Sequence, residues 1–221
     1  MNIAIDGPSG AGKSSLAKAI AKRLGIIYVD TGALYRTIGL YIREHDIDPH
    51  DEVAVTAALP GIELSLRFEN GAQRIYLCGT DVGDRIRTPE MSLYASAVSA
   101  IGAVRAFLLD TQRKVARESS VVMDGRDIGT VILPDAECKI FLTASSEARA
   151  RRRTAELLAK GIEVTYEDVL SDMLLRDRND STRAIAPAVP AEDAVILDNS
   201  DLSEEETILA ALGIVENAKK N

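Results

Sequence analysis

The 221-residue chain reads as an α/β protein: a parallel five-stranded sheet flanked by helices, with a small antiparallel β insert. Three observations predict this. Short apolar runs that end in Asp, such as Ile3–Asp6, Ile26–Asp30 and Val121–Asp124, alternate with helix-length segments, as βαβ units do. A Gly-rich turn, Gly7-Pro8-Ser9-Gly10-Ala11-Gly12-Lys13-Ser14, joins the first run to the helix after it and matches G-x-x-x-x-G-K-[ST]. Between residues 61 and 84 the hydrophobic pattern changes from continuous to alternating, which marks strands with one face in water.

From Ser14 to Leu24 the residues Leu16, Ala17, Ile20, Ala21 and Leu24 keep a helical spacing, and Gly25 stops it. A short buried strand ends at Asp30, and a helix runs from near Gly32 to about Glu44. A shorter helix over Asp51–Leu59 is stopped by Pro60-Gly61. Ile62 to Phe68 alternates strictly, Asn70-Gly71 is a hairpin turn signal, Arg74–Leu77 returns, and Gly79–Val82 offers a third short strand. Thr88-Pro89 opens a long helical region to about Ser119, with a bend expected near Ile101-Gly102. A strand is expected over Ala136–Leu142. Ser145 caps a helix to Lys160 and Thr165 caps another to about Arg178. Pro187 and Pro190 mark a loop, Ala194–Asp198 reads as a fifth buried strand, and Ser203–Asn217 as the last helix.

Composition removes several functional classes. A net charge of −8 gives nucleic acid no general attraction, and aromatics at 4% without Trp supply no stacking platform. No apolar run reaches membrane length and Asp6 interrupts the first apolar residues, so neither a span nor a signal peptide is expected. Two cysteines and two histidines form no metal motif and read as free, half-buried thiols and ordinary imidazoles.

A site for a nucleoside triphosphate remains. The glycines let successive backbone N–H groups of the loop turn toward a phosphate chain, Lys13 reaches its terminal groups, and Ser14 joins a Mg²⁺ shell. Asp124, closing an apolar strand, is placed as the second Mg²⁺ contact. Asp6, Asp30 and the Asp124–Asp127 group fall at strand ends, where ligands of open α/β sheets bind. An acidic protein also carries Arg36, Arg126, Arg149-Ala150-Arg151-Arg152-Arg153 and the stretch from Arg176 to Arg183. Arg149, Arg152 and Arg153, at i, i+3 and i+4, are expected to share one helix face and to hold an anion between them. There is no N-K-x-D element for guanine, which points away from a GTPase and toward a small-molecule kinase. Shikimate or another nucleotide as acceptor stays open at this stage, as does a P-loop module that binds without catalysing.

Four blocks make the reading specific. Asp6–Ser14, Asp30-Thr-Gly-Ala-Leu-Tyr-Arg36, Asp124-Gly-Arg-Asp-Ile-Gly-Thr130 and Asp180-Ser-Thr-Arg-Ala-Ile-Ala-Pro187 resemble, in order and over essentially the whole chain, those of the bacterial cytidylate kinases. The resemblance implies a P-loop fold with core strand order 2-3-1-4-5. It implies a core of residues 1–60 and 119–221, a lid within about 149–183, and a monophosphate-binding insert over 61–118. The implied reaction takes ATP and CMP, or dCMP, to ADP and CDP, or dCDP, with Mg²⁺, in a cytoplasmic monomer with no nucleic-acid, membrane or obligate protein partner. Pro8, Ser9, Gly10, Ala11 and Ser15 belong with Gly7, Gly12, Lys13 and Ser14 to the ATP loop. Thr31, Arg36, Ser96, Arg105, Arg126, Asp127, Arg176, Asp180 and Arg183 would line the acceptor site. Among them Ser96, Arg105 and Asp127 would meet cytosine, Arg176 and Asp180 the sugar, and Arg36, Arg126 and Arg183 the phosphate. Lys13, Arg126 and Arg183, with Arg149 and Arg153 from a mobile lid over ATP, would be the catalytic cations. The chemistry agrees with the choice of base: a carboxylate accepts from the cytosine amine but opposes the carbonyl that uracil has there.

Overall fold

The computed structural model describes residues 1–69 and 72–220. Along the chain β1 (Asn2–Asp6) leads to α1 (Lys13–Leu24), β2 (Ile27–Asp30), α2 (Thr31–Glu44) and α3 (Glu52–Ala58). Strands β3 (Leu64–Glu69), β4 (Ala72–Leu77) and β5 (Thr80–Asp81) come next, then helices α4 (Pro89–Val98) and α5 (Gly102–Glu118). The remainder is β6 (Val121–Asp124), β7 (Cys138–Thr143), α6 (Ser146–Ala159), α7 (Tyr166–Thr182), β8 (Val195–Asp198) and α8 (Glu204–Ala218). The five-stranded sheet has the order β2-β6-β1-β7-β8 and the three-stranded one β3-β4-β5. Numbered by themselves, the five core strands run 2-3-1-4-5, as the resemblance implies. The chain divides into two compact units, Met1–Ile26 with Val122–Asn221, and Ile27–Val121.

In the first unit β1 pairs in parallel with β7, Ile3 opposite Cys138 and Asp6 opposite Phe141, and β7 pairs in parallel with β8. Ile3, Ala4 and Ile5 are fully buried, because a strand with neighbours on both edges and helices on both faces offers no side to water. Strand β8 departs from the expectation of a buried strand. It lies at the end of the sheet order, and Val195 and Ile196 are 46% and 61% exposed. An apolar run alone does not distinguish a central strand from an edge strand.

In the second unit α2 presents Leu34, Ile38 and Ile42 to a cluster that includes Val55, Ile75, Leu77, Met91, Val98, Val104 and Leu108. The alternation expected in the insert is present: Leu64, Leu66 and Phe68 are half-buried while Ser65, Arg67 and Glu69 are exposed. β3 and β4 run antiparallel with Glu69 opposite Ala72, and the Asn70-Gly71 turn signal lies outside the described residues. The bend expected near Ile101 separates α4 from α5 by 103°. Thr88 caps α4 by accepting from the Met91 N–H, and Ser145 and Thr165 cap α6 and α7 in the same way.

Helix α7 extends four residues beyond the expected end, to Thr182. The two cysteines are free but unlike: Cys78 is exposed, whereas Cys138 is buried in β7 and its thiol is pushed up to about 11 by burial. Among the described residues no single helix is long and apolar enough to cross a membrane.

Candidate active site

The turn from β1 into α1 is shaped by glycines at two points, one where a side chain has no room and one where the backbone is left-handed. At Gly7, with φ +145°, a Cβ would stand 1.9 Å from the carbonyl oxygen of Leu142 in β7, so the loop can leave the sheet only without a side chain. At Gly12 the backbone is left-handed, φ +92°, and the residue caps α1 with no side chain of its own. The first turn of α1 therefore carries no side-chain cap and no acidic residue, whereas α2 is capped by Asp30. Uncapped N–H groups and the positive end of the helix dipole suit a phosphate chain. By this test the loop fits a triphosphate.

The charged groups at the loop are buried. The Nζ of Lys13 donates to the Pro8 carbonyl at 2.6 Å, which folds the side chain back over the loop. Burial pushes Lys13 well below the usual lysine range, and the Arg126 charge adds to this, while Asp124 and Asp6 oppose it. Ser14 donates its hydroxyl to Asp124 at 2.8 Å. The two groups named for Mg²⁺ thus stand together. Among the described residues no three His, Cys, Asp or Glu gather as a metal cage. A hydroxyl and one carboxylate suit instead an ion that keeps most of its other ligands as phosphate and water.

Arg149, Arg152 and Arg153, at i, i+3 and i+4 of α6, reach different acceptors. The Nε of Arg149 donates to the Ala144 carbonyl at 2.9 Å, and Nη1 donates to the Ser9 carbonyl at 2.8 Å while pairing with Asp177 at 2.7 Å. Arg152 donates from Nη1 to Asn199 Oδ1 at 3.2 Å and from Nη2 to the Asn199 carbonyl at 2.6 Å. Arg153 is paired with Glu156 at 2.8 Å. Each guanidinium of the expected face is thus held by a different protein acceptor.

A second cluster lies in the same unit. Arg126 donates from Nε to Asp180 at 2.8 Å. Arg183 donates from Nε to the Ala186 carbonyl at 2.6 Å, and its Nη2 lies 3.7 Å from Asp127 Oδ1. Asp127 and Asp180 are buried, and Arg176 is half-buried on α7.

In the other unit Thr31 is buried at the start of α2, and Arg36, about one turn on, pairs with Asp30 at 2.9 Å. Ser96 is half-buried on α4. Arg105, buried on α5, donates to the Ser99 carbonyl at 3.0 Å, with its guanidinium 5.5 Å from the Tyr35 ring centroid.

Sequence reasoning missed three residues. Asp177 and Arg149 together hold Ser9, since Asp177 also accepts from the Ser9 N–H at 3.4 Å. Asn199, one residue past β8, donates to the Ala11 carbonyl at 3.1 Å from a buried position. Gln73, on β4, accepts from the Asp30 N–H and donates to the Asp30 carbonyl. The position of Asn199 at a strand end was a signal for it, and Gln73 interrupts an apolar face.

Comparison with known proteins agrees with this geometry. The family model described as Cytidylate kinase matches residues 3–217. A cytidylate kinase of Caldicellulosiruptor bescii is 47% identical over 221 residues, covering 100% of this chain and 98% of that one. A cytidylate kinase of Thermosipho melanesiensis is 49% identical over 218 residues, covering 99% and 98%. Among solved structures, an uncharacterized protein from Eubacterium ventriosum covers 100% of this chain and 99% of its own, with a TM-score of 0.54 at 16% identity, a likeness of fold alone. With the phosphate loop, the strand order and relatives matched from end to end, the chain belongs to the cytidylate kinase family.

Proposed function

We propose that this member of the family transfers the γ-phosphoryl group of ATP to CMP or dCMP, giving ADP and CDP or dCDP. The observation that carries the reading is a phosphate loop and a set of opposite charges, the buried Asp127 and Asp180 beside the half-buried Arg183 and Arg126, built into one unit of a family member. No nucleophilic side chain is needed, because the acceptor phosphate itself attacks. The protein aligns the reactants and neutralises charge that develops on the moving group.

Residues 7–15, Pro8 excepted, would hold the ATP phosphates through backbone N–H groups, with Lys13 exchanging its bond to the Pro8 carbonyl for a phosphate oxygen. Ser14 and Asp124 would hold Mg²⁺, which supplies charge neutralisation on the phosphates when bound. Arg36, Arg126 and Arg183 take the acceptor phosphate in this reading, Thr31 adds a hydroxyl, and Arg176 and Asp180 approach the sugar. Asp127 accepts from the cytosine amine, with Ser96 and Arg105 as donors to the rest of its edge. Arg149 and Arg153 serve on the donor side. The same reading makes the enzyme a cytoplasmic monomer with small nucleotides as its partners.

The test is an acceptor panel. ADP formation from MgATP should rise strongly with CMP and dCMP and little with UMP, AMP or shikimate. Equal rates with CMP and UMP would remove the role given to Asp127, and slow, acceptor-independent hydrolysis would make the chain a binding module.

A further inference from the structure

Strand β4 carries Ile75 and Leu77 inward, buried against the core of its unit, and Gln73 continues that inward row. An amide on an apolar face costs free energy unless both its donor and its acceptor are met. They are met by the backbone of one residue. Gln73 Oε1 accepts from the Asp30 N–H at 2.8 Å, and Gln73 Nε2 donates to the Asp30 carbonyl at 3.2 Å. β2 stands at the end of the sheet order, so a side-chain amide here does what a neighbouring strand would do for the Asp30 backbone. A carboxamide alone among side chains of this length offers a donor and an acceptor side by side.

The Asp30 residue held in this way sets the geometry of α2. Asp30 Oδ1 caps α2 by accepting from the Ala33 N–H at 2.9 Å, and Asp30 Oδ2 takes Arg36 Nη2 at 2.9 Å. One residue therefore fixes both the start of α2 and the direction of the Arg36 guanidinium. The Nε of Arg36 is buried and makes no hydrogen bond among the described residues.

We propose that Gln73 is a positioning residue for the acceptor phosphate: by clamping the backbone N–H and C=O of Asp30 from the antiparallel insert, it sets Arg36 in the orientation that binds the phosphate of the nucleoside monophosphate. The role rests on the acceptor reading given above. It supplies a reason for the insert that the residues lining the acceptor do not, since the insert reaches that phosphate through Asp30 and Arg36.

The experiment compares wild type, Gln73→Met and Gln73→Glu. Methionine keeps the length and loses both bonds. Glutamate keeps an acceptor for the N–H and sets a second oxygen against the Asp30 carbonyl; if the methionine variant does not fold, it carries the same test. Both should raise KM for CMP roughly tenfold, the loss of about one hydrogen bond to a charged network, and leave KM for ATP within about twofold. Amide hydrogen exchange at Asp30, which needs no substrate, should quicken in both variants. In an Arg36→Met background, Gln73→Met should change KM for CMP by less than about twofold, since residues that act through one another are not additive. A wild type without CMP-dependent turnover would overturn the acceptor reading and this role with it. An active wild type whose Gln73 variants keep the acceptor KM, or raise both substrate KM values together, overturns this role alone. Unchanged exchange at Asp30 or additive effects with Arg36→Met do the same.

Discussion

Asp6 ends β1 with both carboxylate oxygens turned onto backbone donors, the Ile128 N–H and the Gly129 N–H, each at 2.7 Å. These bonds fasten the π-helical turn Ile128–Ile132 that comes after Asp127, and so brace the residue assigned to the base. The carboxyl is 4% exposed, and burial raises its pKa from 3.8 to about 6 against the pull of the two N–H groups. Between about pH 4 and pH 6 the folded state holds more protons here than the unfolded chain does, so this group's contribution to stability falls as pH rises through that window. Measured against Asp6→Asn, which cannot titrate, wild type should lose up to about 3 kcal/mol of relative stability between pH 4 and pH 7. Denaturant unfolding of both proteins across that range checks it; a constant difference would mean that Asp6 titrates in the folded state as it does in the unfolded chain.

At the scale of elements, α6 and β8 grip the phosphate loop at two carbonyls. Arg149 reaches Ser9, and Arg152 orients Asn199, whose amide reaches Ala11. Asn199→Leu removes a buried donor to the loop and leaves the Ala11 carbonyl without that bond. KM for ATP should rise about five- to tenfold while KM for CMP stays within about twofold, in steady-state rates taken with each substrate varied in turn. A rise confined to CMP would show that the loop does not depend on this bond. Such contacts also mark where sequence reading ends. The loop, the caps at Thr88, Ser145 and Thr165, and the alternation of β3 were legible because their partners lie within a few residues. Asn199 lies 188 residues from Ala11 and Gln73 lies 43 from Asp30, separations that no periodicity encodes. Arg149, Arg152 and Arg153 of α6 show the opposite hazard. Their spacing is plain in the sequence, but helix geometry fixes only where a long side chain starts, and carbonyls from other elements decide where it ends.

For the molecule as a whole, the loop costs stability in order to hold charge. The lowered pKa of Lys13 means that the unfolded chain binds its proton more tightly than the folded one. That cost is present at neutral pH and disappears only as pH rises toward the ordinary lysine value of about 10.4. Lys13→Met keeps most of the volume and removes the buried charge, so without nucleotide it should melt at a higher temperature than wild type. The order should reverse with ligand. MgATP at about a hundred times its dissociation constant stabilises a single-site protein by about 2.7 kcal/mol, and the variant should lose most of that gain. Turnover with CMP should fall by two to three orders of magnitude, the usual consequence of removing one preorganised donor from a developing charge. Thermal melts with and without MgATP, beside rate measurements, check all three. A variant less stable than wild type in both states would show that the Lys13 bond to Pro8 stabilises the loop by more than its charge destabilises it.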